Sequence, residues 1–156
     1  MLRDPRKSLP ARGEKSRMAT RHSIALAILV LAWAVSSPAK AGGFDGSWLT
    51  TVSCEAARDA LGYSYRFTST VKGGVLHGEY GTMGQPSSLQ LDGPIGADGT
   101  AKLYAKGQTG SKEYVPGRDT PRGTPYSYNV NAHFTGSSGS GTRVDGRPCS
   151  LQFIKQ

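Results

Sequence analysis

The side chains able to do chemistry are few in this 156-residue chain. His77 and Glu79 lie two apart, a spacing that puts both on one face of an extended strand. Joined by His133 from another segment, they would form a His-Glu-His set of the kind that holds zinc. Their phase within the apolar alternation puts all three on solvent faces, so no metal is expected there. Asp92 and Asp98 fall at hairpin ends, where Asp is a turn former, and Glu79 stands alone. Paired acids for glycoside chemistry would need two facing carboxylates. There is no Gly-x-Ser-x-Gly elbow, and the glycine-rich run Gly136–Gly141 leads into a strand rather than a helix. It therefore lacks the helix N-terminus that would cradle a phosphate. The expectation is no catalytic residue and no cofactor.

Two further groups have a defined chemistry. Tyr114, Arg118 and Arg122 lie in the Pro-punctuated stretch Gly107–Thr124. One aromatic and two guanidinium groups suit a carboxylate or phosphate on a partner. The stretch reads as a binding loop, as a mobile loop, or as a short strand at Glu113–Val115. Cys54 and Cys149 are the only cysteines. Each is in phase with the apolar face of its strand, one near each end of the domain, and neither belongs to a CxxC motif. A structural disulfide is expected, stapling the first strand to the last. A loop of that size gives roughly 4–5 kcal/mol in the chain-entropy treatment.

The elements that must position these residues are strands. Trp48, Thr50, Val52 and Cys54 alternate along Gly46–Cys54, and Tyr63, Tyr65, Phe67, Ser69 and Val71 along Tyr63–Val71. Between them, Glu55–Gly62 is compatible with one short helical turn. Lys72-Gly73-Gly74 predicts a tight hairpin into Val75–Tyr80. Ser88–Asp92 and Thr100–Lys106 flank an Asp-Gly turn. Pro125–Thr135 is the last long strand, with Tyr126, Tyr128, Val130, Ala132 and Phe134 on one face. Gly136–Gly141 reads as a flexible turn, followed by strands at Thr142–Val144 and Cys149–Ile154. Seven or eight strands, mostly sequential neighbours, predict an all-β domain: a small antiparallel up-and-down barrel, with a two-sheet sandwich as the alternative. Tyr63, Tyr65, Phe67, Tyr126, Tyr128 and Phe134 would line its interior, and a packed interior is favoured over a ligand cavity.

Ahead of this domain, residues 1–41 read as a secretory signal peptide. Arg21 and His22 precede the apolar run Ser23–Val35, and Ala39-Lys40-Ala41 offers a small-x-small cleavage site. The run is shorter than the roughly 20 apolar residues that span a bilayer. Residues 1–17 are polar and basic, so either Met18 is the true start or the n-region is long. Whole-chain charge is +8, but residues 1–41 carry 8 of the 19 basic and 2 of the 11 acidic residues. Residues 42–156 keep 11 against 9, a net of +2. That excludes the strongly basic surface expected of a nucleic-acid binder. No cysteine follows the cleavage site, so no lipid anchor is expected, and the location is periplasmic or secreted.

Phe44-Asp45-Gly46-Ser47-Trp48, running on to Cys54, resembles the opening Gly-x-Trp strand of calycin-like barrels: lipocalins, avidins and bacterial protease-inhibitor barrels. Asp98-Gly99-x-Ala101, Gly123-x-Pro125-Tyr126-x-Tyr128 and Arg147-Pro148-Cys149 resemble uncharacterised exported proteins of proteobacteria. The inhibitor barrels carry a disulfide early in the chain, whereas these cysteines lie near both ends, so no functional residue is carried over. The expected function is a non-enzymatic exported binding module for a small ligand or an exported protein. The alternatives are an inhibitor of an exported hydrolase, acting through Gly42–Ser47 or Gly107–Thr124, and a structural envelope protein.

Overall fold

A computed structural model describes residues 43–117 and 119–156. The predicted signal peptide and Arg118 lie outside the described residues. Eight strands follow in order: β1 (Gly46–Cys54), β2 (Tyr63–Lys72), β3 (Val75–Tyr80), β4 (Ser88–Pro94), β5 (Thr100–Gln108), β6 (Pro125–Thr135), β7 (Ser138–Arg143) and β8 (Cys149–Lys155). Each pairs antiparallel with the next, and β1 also pairs with β8, which closes an up-and-down barrel. The sandwich alternative is thereby excluded. Closure leaves no free edge strand, although toward the mouth the β2–β3 ladder stops at Ser69–Gly78 and the β6–β7 ladder at Val130–Arg143. At the seam Cys54 stands opposite Cys149, and the two form a disulfide across it.

The inward faces follow the alternation in the sequence. Trp48, Val52, Leu76, Leu91, Leu103, Val130, Phe134, Leu151 and Phe153 form one buried core. Two local expectations are corrected. Glu55–Gly62 contains no helical turn. Ala57 and Ala60 instead exchange reciprocal backbone hydrogen bonds around Arg58, whose φ is +55°. The Gly/Ser run is not a flexible turn either: most of it is β7 itself, after a hairpin at Gly136 and Ser137. Side chains of β6 occupy the space its glycines leave. A Cβ on Gly139 would lie 2.8 Å from the Phe134 ring, and one on Gly141 2.9 Å from the Ala132 Cβ. Glycine disfavours an isolated strand, but here the facing side chains need its bare backbone.

The two ends of the barrel differ. Tight hairpins join β2 to β3, β4 to β5 and β6 to β7 at the base. Gly73 and Gly74 both have positive φ, and their amides donate to the Asp45 carboxylate at 2.9 Å. Trp48 packs edge-on against Phe134, and its indole N–H donates to the Phe44 carbonyl at 2.8 Å. The base is therefore sealed. The loops after β1, β3, β5 and β7 gather at the opposite end, which we call the mouth.

Candidate functional site

The mouth opens into a cavity of about 770 Å³. Its walls come from the inward positions of β2 and β6 nearest the mouth. In a closed ring of eight, these strands stand opposite each other. Tyr63 and Tyr65 stack along β2 with centroids 5.8 Å apart, and Tyr80 of β3 stacks on Tyr65 at 4.3 Å. Across the barrel, Tyr126 and Tyr128 stack along β6 at 6.0 Å and only 9° from parallel. The expectation of a packed interior therefore holds for the base but not for the mouth. Phe134 belongs to the packed base, and Phe67 stacks beside Tyr65 as part of the core.

Small residues make the room. Gly107 faces Leu89 across the β4–β5 pair, and any Cβ there would come within 1.9 Å of the Ser88 carbonyl. Its absence lets the Tyr126 hydroxyl donate to that carbonyl at 3.0 Å. Ser88 also lines the cavity, and its own buried hydroxyl has no hydrogen-bond partner.

Three arginines that the spacing along the chain did not single out complete the lining. Arg58 is exposed at the rim. Arg143, at the end of β7, lies 4.2 Å from the centroid of the Tyr128 ring, and its Nε donates to the Asp145 carbonyl at 2.6 Å. Arg147, in the β7–β8 loop, is only 6 % exposed. It donates to three carbonyls: Glu55 at 2.6 Å, Tyr114 at 2.7 Å, and Leu61. It also lies 4.8 Å from the Tyr63 ring centroid. The lining includes no aspartate, glutamate or histidine. His77 meets Asp92 at 2.6 Å and Glu79 at 3.7 Å on the outer surface of the barrel, away from the cavity. Burial pushes the Tyr63, Tyr65, Tyr126 and Tyr128 phenols up from their ordinary 10.0, so all four are neutral at physiological pH. The cavity is thus uncharged apart from its guanidinium groups.

The residues singled out from the sequence end up in different places. Tyr114 sits in a 3-10 turn at Lys112–Tyr114, not in a strand, and packs edge-on against Tyr63 at the rim. Arg122 is exposed and is not part of the cavity lining. His133 is on the outer face of β6, paired with Thr100 and Ser140, and does not join the His77–Glu79 pair on β3. The one available signal for the two inner arginines was their position. Arg143 follows two glycines at inward phase, and Arg147 stands two residues before a cysteine of the seam. Compared with known proteins, this chain matches no protein family, no curated protein and no solved structure.

Proposed function

We propose that this chain is an exported, non-enzymatic binding protein that takes a small organic molecule into the mouth of its barrel. Residues 1–41 would act as a signal peptide, delivering residues 42–156 to the periplasm or the medium. The disulfide at the seam fits such an oxidising compartment. The observation that carries the reading is a barrel packed solid at its base and open at its mouth, with partly buried tyrosines on opposing walls. Small-molecule sites are concave, mostly apolar and roughly 300–1,000 Å³, with a few placed polar groups. The lining offers rings, hydroxyls and guanidinium groups, which serve recognition better than proton transfer. The segment Phe44–Trp48 is engaged in closing the base, which favours the mouth over the N-terminal segment as the working surface.

The test is a thermal-shift screen of the oxidised protein against small organic molecules, followed by calorimetric titration of any that act. A saturable rise in Tm at one-to-one stoichiometry is expected. Tyr65→Ala should then weaken binding by roughly tenfold or more, because the ligand no longer buries apolar surface against that ring. If small molecules leave Tm flat and only an exported hydrolase shifts it, the inhibitor alternative replaces this reading.

A further inference from the structure

We infer that the mouth cavity selects a planar organic carboxylate, whose anionic group seats on Arg143. The inference rests on the cavity reading above and adds the chemical class of the ligand. Arg143 is held in place by two contacts, the Tyr128 ring at 4.2 Å and the Asp145 carbonyl that accepts from Nε. Its two terminal nitrogens have no hydrogen-bond partner among the described residues. Gly146 leaves room for the head group: a Cβ there would lie 3.1 Å from Nη2. A guanidinium fixed through Nε and one ring face presents its remaining N–H groups as a fork, which matches the two oxygens of a carboxylate.

The surroundings favour an anion over a neutral group. Arg147 brings a second positive charge into the wall, and its three partners are carbonyls, which orient a guanidinium without neutralising it. No carboxylate lines the cavity to compete. Low-dielectric walls of one charge sign concentrate the field at the opening. The rest of the ligand is set by the rings. Tyr126 and Tyr128 form a parallel stack on one wall, and Tyr63, Tyr65 and Tyr80 line the other. The Tyr65 and Tyr128 side chains meet across the barrel. The ligand body therefore meets aromatic faces, which suit a flat, unsaturated group.

Calorimetric titration of the oxidised protein with 2-naphthoate and with 2-naphthamide isolates the charge, because the two share a ring system. The carboxylate should bind roughly ten- to a hundredfold more tightly, the range for one charge-assisted contact. Arg143→Gln should abolish that preference and leave the amide unaffected. Arg143→Lys, which keeps the charge without the fork, should retain part of it and serves if the glutamine variant does not fold. Equal binding of acid and amide would overturn the carboxylate inference while leaving the cavity reading intact. Binding of neither would overturn the planar-carboxylate inference, and the thermal-shift screen against other small molecules would decide the cavity reading separately.

Discussion

Arg147 is the residue on which the mouth depends most. It is buried without a carboxylate, a state that costs several kcal/mol unless hydrogen bonds take the place of water. Here three carbonyls do so, one at each end of the β1–β2 loop and one in the 3-10 turn. The two loops are also joined directly, since the Leu61 amide donates to the Glu113 carbonyl at 2.7 Å. One side chain therefore ties the rim of the cavity to the start of β8. Arg147→Met keeps much of the apolar stem and removes the three donors. It should cost about 2–4 kcal/mol, given roughly 1.5–3 kcal/mol for each hydrogen bond to a charged group and partial rescue by water. Urea unfolding measures the loss, and faster amide exchange at Leu61 would locate it. Unchanged stability would mean that the rim holds itself.

At the level of the single strand, β7 shows how tertiary packing overrides local preference. Ser138-Gly139-Ser140-Gly141 has low strand propensity and reads as a linker. It becomes a strand because the backbone groups of β6 and β8 need partners on both sides, and because the interior beside it is already full. Gly141→Val should destabilise by about 1–3 kcal/mol, the usual cost of overpacking, since its Cβ would meet Ala132 at 2.9 Å and the Asn131 carbonyl at 3.1 Å. Ser140→Val, on the exposed face of the same strand, should change stability little and serves as the control. A Gly141 variant as stable as its control would show that β6 shifts to admit the side chain.

For the barrel taken together, the closing step is the β1–β8 seam, and the disulfide secures it at the mouth. Cys54 and Cys149 are 95 positions apart, so their bond restricts nearly the entire domain in the unfolded state. Replacing both by serine should lower the unfolding free energy by roughly 4–5 kcal/mol, read as a lower urea midpoint. A smaller loss would mean that seam hydrogen bonds and the sealed base hold the barrel closed without it. The same asymmetry divides labour along the axis: the base is packed and pinned by Asp45 and Trp48, while the mouth carries the longer loops and the cavity. Sites on loops held by a rigid scaffold are the common arrangement in binding proteins.

Strands whose inward residues are large were legible before any contact was known. Period-two alternation fixes which side chains point inward, whatever the partner strand, so Gly46–Cys54, Val75–Tyr80 and Pro125–Thr135 could be read to the residue. So could the Gly73-Gly74 hairpin and the cysteine pair, because backbone conformation and in-phase placement are local properties. The rest waited on packing. Whether the ring closes depends on β1 meeting β8, a contact across almost the whole domain. β7 was hidden because its signal lies in the side chains of its neighbours. The cavity was hidden because a run of inward tyrosines looks the same whether it fills an interior or lines an opening. Arg143 and Arg147 became site residues only when the barrel brought the end of β7 and the loop beyond it against the rings of β6 and β2. Spacing along the chain carries no trace of such an encounter.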